Sequence, residues 1–330
     1  MEYPAEFAIH PDLFRAEPVT RHILSMLPLG KGFSLSVATG RSALMKALDS
    51  LPKESCTGTA WLPSLCCASL ASPFLDRGFS LNFYSSFPRG IPPVGKGDVF
   101  LYIHFCGFPN RQVEEALDSL PKKCRPFVIE DCVHALFTSG VGLYGDFTIY
   151  SFRKFLPVPD GGLLLSRTSI DAFLAPPLES FISAKAVGRL IGSSVLRKKG
   201  EEILDEDPFP RAPSEMGRYL LDRAPWEHIP EMRRKNFGLL AGILRISPVL
   251  PEGTVPLGMP VLLARGKGEL ERRLRGEGLR PPVSWEENPL APSVESSRLA
   301  VLPCDERMGL SSLERVASIA RPFLEQGSAG

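Results

Sequence analysis

Short apolar runs alternate with amphipathic stretches through the first half of this chain, and that alternation sets the expected architecture. Residues 34–39 form an extended run that stops at Gly40. From Ser42 onward, Ala43, Leu44, Ala47 and Leu48 recur at the spacing of one helical face, which predicts a helix opening just after the glycine. Residues 59–62 read as a strand closed by Pro63-Ser64, and Ala68–Leu75 as a helix. Ser80–Tyr84 and residues 98–104 are strands, and residues 113–120 a helix ended by Pro121. Residues 126–129 form a strand that arrives at Asp131. Phe147–Ser151 and residues 162–165 are short strands around a loop containing Lys154. Strands spaced by helices predict a largely parallel sheet covered on both faces. Ligands of such sheets bind beyond the carboxyl ends of the strands, where Gly40, His104 and Asp131 all fall.

The pattern changes after about Thr168. Residues 175–213 read as a proline-punctuated, charged connector carrying a helix or two. Residues 226–244 form a long helical segment, 259–264 a strand, 269–276 a charged helix, Leu299–Leu302 a strand and 313–324 a closing helix interrupted by Pro322. The fold class is therefore α/β: a large domain with a mainly parallel sheet between helices, plus a small C-terminal α+β domain. The expected division is an N-terminal segment 1–33 with a short helix near 19–27, a large domain with connector at 34–210, and a small domain at 211–330, whose last residues, 327–330, read as a disordered tail.

Composition narrows the field. Of the 330 residues, 44% are hydrophobic and 23% charged, and the formal net charge is +1, so nothing favours nucleic acid, a polyanion or a membrane surface. The densest basic cluster, Arg197-Lys198-Lys199, is answered by Glu201, Glu202, Asp205, Glu206 and Asp207, and reads as a solvated face. Seven cysteines without C-x-x-C spacing suit a reduced cytoplasmic protein with free thiols. The N-terminus shows no secretory signal, and no apolar stretch reaches membrane-spanning length. The five histidines lack ligand spacing, so no metal is expected. G-x-S-x-G, G-x-G-x-x-G and Walker A patterns are all missing from the sequence.

The chemistry concentrates in three pieces. Thr39-Gly40-Arg41-Ser42 is a glycine turn opening a helix, a generic anion cradle. Val128-Ile129-Glu130-Asp131 is an apolar strand ending in a carboxylate, with His134 three residues on. Ser151-Phe152-Arg153-Lys154 is followed by Asp160-Gly161-Gly162. A lysine in an apolar, proline-stiffened loop supplies a nucleophilic amine, and a strand-end aspartate supplies an acid; together they are what pyridoxal phosphate (PLP) requires, a Schiff-base partner and a counter-charge for its ring nitrogen. Each piece also has a plainer reading. Lys154 alone is a surface charge, Asp131 a turn or cap residue, Ser42 and Ser151 caps, and His134 a core histidine.

The ordered set, from Ala38-Thr39-Gly40-Arg41-Ser42 through Leu62-Pro63-Ser64, His104 with Gly107, Val128-Ile129-Glu130-Asp131, Ser151-Phe152, Lys154 and Asp160-Gly161-Gly162, resembles the DegT/StrS family of sugar aminotransferases, fold-type-I PLP-dependent enzymes. The resemblance implies Lys154 as Schiff-base lysine and Asp131 as partner of the ring nitrogen. It places His134 where the family has a glutamine near the cofactor, and Gly40, Arg41, Ser42 and Ser151 at the phosphate. Cys67 lies where many members place an aromatic ring over the cofactor, and Arg41 replaces a small hydroxyl residue. Only Arg153 separates Ser151-Phe152 from Lys154, where the usual loop is longer. The implied activity is amino transfer from a small-molecule donor to a keto acceptor, a sugar nucleotide in the family, by a homodimer. A PLP lyase or decarboxylase on the same scaffold and a non-catalytic PLP-fold binding protein are the alternatives.

Overall fold

The computed structural model describes residues 6–28, 32–86, 90–284 and 297–325. The expected tail at 327–330 lies outside them. The main sheet contains β1 (Phe33–Val37), β2 (Thr59–Pro63), β3 (Ser80–Tyr84), β4 (Val99–Ile103), β5 (Phe127–Asp131), β6 (Phe147–Ser151) and β7 (Gly162–Ser166), in the order β1-β7-β6-β5-β4-β2-β3. β2 to β6 pair in parallel, and β7 runs antiparallel to both its neighbours, β1 and β6. β4, β6 and β7 are buried along their whole length, which explains the unbroken apolar runs of β4 (Val99 to Ile103) and β7 (Leu163 to Leu165).

Helices cover the sheet: α1 (Gly40–Asp49), α2 (Ala68–Leu75) and α3 (Arg111–Asp118). α1 starts where the sequence turns amphipathic because Thr39 N-caps it, its Oγ1 accepting from the Ser42 amide at 3.0 Å. The connector folds as a helical hairpin, α4 (Glu179–Leu190) and α5 (Ser194–Asp205). Next come α6 (Glu215–Leu221) and α7 (Ile229–Leu244), then a two-stranded antiparallel sheet of β8 (Met259–Leu262) and β9 (Leu299–Leu302), with α8 (Lys267–Gly276) and α9 (Leu310–Ala320).

Three of the hydrophobic cores among the described residues bear on the site and its frame. One packs α1 and α2 on the main sheet. The second joins Ile9, Leu13, Ile23 and Leu27 of the N-terminal segment to Phe152, Phe155 and Leu156 of the lysine loop, to Leu220 and Leu221 at the end of α6, and to Trp226 beyond it. The third belongs to residues beyond Phe237 and holds α7, α8 and α9 on β8 and β9. The N-terminal segment and α6 thus share a core with the lysine loop.

Candidate active site

The carboxyl ends of β1, β4, β5 and β6 converge on a cavity of about 560 Å³. Gly40, Arg41, Cys67, Asp131, His134, Ser151 and Lys154 all line it. Residues more than a hundred positions apart in sequence are thereby brought to one wall. Ser42 is the exception. Its hydroxyl is buried behind the turn, accepting from Thr39 Oγ1 at 3.2 Å and from the Arg211 amide at 3.3 Å, and its own amide is given to Thr39. The Ser42 hydroxyl is thus engaged with Thr39 and Arg211 and does not line the cavity. The amides left over are those of Gly40 and Arg41, the first two residues of α1, which donate to no acceptor among the described residues. Ser151 Oγ, at the end of β6, likewise has no partner there, although Ser151 is buried.

The loop carrying Lys154 is short and tied at both ends. Phe152, Arg153 and Lys154 make one 3-10 turn, closed by Phe155 N–H donating to Phe152 O at 3.0 Å. Gly161 closes the loop, its carbonyl accepting from Phe152 N–H at 3.0 Å and its amide donating to Ala38 O at 2.5 Å. A side chain on Gly162 would come within 2.7 Å of Tyr150 O and 2.9 Å of the Thr39 carbonyl carbon, so close strand packing requires the glycine. Asp160 does not face the cavity. It is buried and holds the start of α6, accepting from the Ser214 amide and hydroxyl, both at 2.7 Å.

Asp131 and Glu130 leave β5 on opposite sides. Asp131 faces the cavity, and among the described residues its only side-chain hydrogen bond is Oδ1 accepting from Val133 N–H at 2.8 Å. Burial raises its carboxyl to about 6, incompletely offset by that amide and by the Lys154 charge. Glu130 accepts from the amides of Gly142 (2.5 Å), Tyr144 and Gly145 (both 2.9 Å), and pairs with His104 Nε2 at 2.9 Å. Burial pushes it up, but the His104 bond and those amides prevail and hold it at about 2. His104 Nδ1 accepts from Asn110 N–H at 2.9 Å, so Nε2 carries the proton given to Glu130. His104 is thus part of the buried scaffold. His134 lies in the cavity wall; burial, then the Lys154 charge, drive it well below its ordinary value, and its imidazole is neutral. Cys67 is exposed at the cavity edge, where Ser69 Oγ lies 3.1 Å from its sulfur. The seven cysteines are all free thiols.

One expectation is corrected. The acidic run after Arg197-Lys198-Lys199 is not wholly a solvated face. Lys198 and Lys199 do sit outside with Glu202, but Glu201 and Asp205 turn into the cavity wall. Asp205 holds Arg41 at 2.8 Å, and Glu201 holds Arg153 at 2.7 Å. The helical spacing of 201, 204 and 205 on α5 is the signal that would have found them: Glu201, Leu204 and Asp205 form one face, and all three line the cavity.

No protein-family model matches this sequence, and no curated protein matches it in sequence. Solved structures do match over nearly the whole chain. The sugar aminotransferase CalS13 from Micromonospora echinospora has a TM-score of 0.63 at 14% identity, covering 97% of this chain and 99% of that one. A DegT/DnrJ/EryC1/StrS aminotransferase from Brucella abortus has 0.59 at 17%, covering 89% and 86%. The PLP form of Spr1654 from Streptococcus pneumoniae has 0.62 at 11%, covering 98% of each chain. The chain therefore has the fold of these enzymes, the PLP-dependent transferase fold of type I. Among the described residues, no helix is long and apolar enough to cross a membrane.

Proposed function

We propose that this protein is a PLP-dependent aminotransferase of the DegT/DnrJ/EryC1/StrS kind. The observation that carries this reading is Asp131: a buried carboxylate with a single hydrogen bond, aimed into a cavity whose wall also presents Lys154. An acid left under-satisfied in a desolvated place calls for a cationic partner, and a protonated pyridine ring is one. The free amides of Gly40 and Arg41 and the hydroxyl of Ser151 suit a phosphate at the other end. The residues present fit the cofactor.

When bound, the cofactor supplies an aldehyde that takes up amines and a protonated ring that withdraws the electron pair released at the substrate carbon. Lys154 Nζ holds the cofactor and then moves a proton at the substrate carbon. Asp131 keeps a proton on the ring nitrogen. Gly40, Arg41 and Ser151 fix the phosphate, while neutral His134 bounds the cavity without adding charge. Cys67 lines the edge where relatives of this fold were expected to carry an aromatic ring. The proposed reaction moves an amino group from a small-molecule donor to a keto acceptor, with a keto sugar nucleotide as the candidate; the name of CalS13, a sugar aminotransferase, supports that choice. We place the enzyme in the cytoplasm as a homodimer. The free thiols support the compartment, and exposed Phe173 and Phe209, beside the Ala175–Arg211 bridge, offer a contact for a second copy, which light scattering would test.

Borohydride reduction of the purified protein incubated with PLP tests the cofactor assignment. The expected result is an absorbance band near ~420 nm that reduction abolishes, with the label on the peptide containing Lys154. A label elsewhere, or no band, would overturn it.

A further inference from the structure

We propose that Arg153 receives the carboxylate of the amino-acid substrate, with Glu201 as its resting partner and Lys185 as the cation that holds Glu201 when Arg153 lets go. This rests on the function above for the identity of the substrate; the binding of a carboxylate is measurable without it.

Arg153 and Lys154 leave the same turn, and both line the cavity. A guanidinium offers five N–H donors. Arg153 uses one of them on a side-chain acceptor, Nη1 to Glu201 Oε1 at 2.7 Å, while Nε is buried with no acceptor and Nη2 has none among the described residues. Its Cζ lies 5.4 Å from the Phe181 ring centroid. The result is a mostly unsatisfied fork in the cavity wall that also presents the candidate reactive amine. Its present occupant is already a carboxylate, held through one oxygen on a side chain that is 42% exposed. A free carboxylate could take both arms of the fork, the geometry guanidinium prefers.

Exchange requires that Glu201 not be left unpaired. Glu201 Oε1 also accepts from Lys185 Nζ at 2.5 Å, and Lys185 is 0% exposed. Lys185 reaches this place by lying across Gly200, where a side chain would come within 2.5 Å of its Cδ. Lys185 is further paired with Glu6 from the N-terminal segment. Glu6 is reached by Arg189 and Arg197 as well, so Lys185 is not its sole cationic partner. Arg41, the other arginine of the cavity, is not equivalent: Asp205 at 2.8 Å and Ser72 at 3.0 Å already occupy its guanidinium.

The test is titration calorimetry on the full-length protein, with and without added PLP, using glutarate as the carboxylate probe and inorganic phosphate as the control anion. Arg153→Gln should weaken glutarate roughly tenfold or more, the loss of one charge-assisted contact, with Arg153→Lys in between. Glu201→Gln frees the guanidinium and should tighten glutarate several-fold, where a purely structural ion pair predicts no change or weakening. Phosphate binding should not respond to Arg153→Gln. Equal glutarate affinity in wild type and Arg153→Gln would overturn the proposal, as would a loss of phosphate rather than glutarate binding. A protein that binds glutarate through Arg153 yet forms no lysine-linked chromophore would instead sink the cofactor reading and leave this one standing.

Discussion

Glu130 and Asp131 are neighbours in sequence, both are buried, and their carboxyls are shifted in opposite directions. Period-two alternation sends one to each face of the sheet. On Glu130's face the loop 142–145 bends back to give three amides, and His104 adds a fourth donor, so the charge is stabilised inside protein. On Asp131's face there is one amide and a cavity. Burial alone does not decide what a carboxylate is for; the number of donors it meets does. A satisfied acid braces the fold, and an under-satisfied one marks where a ligand must complete the site.

The comparison breaks most sharply at Lys154, on Asp131's side. Lys154→Ala should lower the rate of amino transfer by roughly 10²–10⁴-fold while leaving the thermal midpoint nearly unchanged, checked by a half-reaction assay beside a melting curve. An unaltered rate would remove the function assigned to that face. On the other side, Glu130→Gln replaces an acceptor of three amides, the His104 imidazole and the Thr148 hydroxyl by an amide whose nitrogen confronts donors. A loss of roughly 2–4 kcal/mol in urea unfolding is expected; a neutral result would mean that the two acids do not differ as described.

Asp131→Asn should act in the reverse direction on stability. A carboxyl raised to about 6 in the folded state, against 3.8 ordinarily, penalises folding by about 3 kcal/mol once both states are ionised. The cofactor-free Asn variant should therefore be more stable than wild type at pH 8, by up to that amount, and bind PLP more weakly. The smallest effect is the pH profile of the difference. Between about pH 4 and 6 the folded state holds more protons at Asp131 than the unfolded one, so its contribution to stability falls as pH rises. The Glu130 contribution has the opposite slope: it is complete above its ordinary value of 4.5 and is lost as pH falls toward about 2. Denaturant titrations of wild type and Asp131→Asn should converge at the acid end, part progressively between about pH 4 and 6, and run parallel above it.

Much of this was legible in sequence because the main sheet is built from strong, short signals. Unbroken apolar runs marked β4 and β7, and the glycine at position 40 marked the start of α1. Gly40, Asp131 and Lys154 were legible because each ends or follows a strand. Ser42 stays open in sequence because a hydroxyl in a helix's first turn serves local hydrogen bonding as readily as anion binding, and composition cannot separate the two. The α5 wall was missed for a different reason. Glu201 and Asp205 lie in a stretch whose charges balance locally, and only the pairing of α5 with Arg153 and Arg41, dozens to hundreds of positions away, turns two of those charges inward.

The two-bond closure at Gly161 gives the lysine loop almost no slack. Because positions 153 and 154 share one turn, the group proposed to grip a substrate and the group proposed to react with it must move as a single part. Selection for a new donor through residue 153 would therefore disturb catalysis at residue 154 at once, and easier routes to altered specificity run through α5, where Glu201 can change without shifting the backbone beneath the amine.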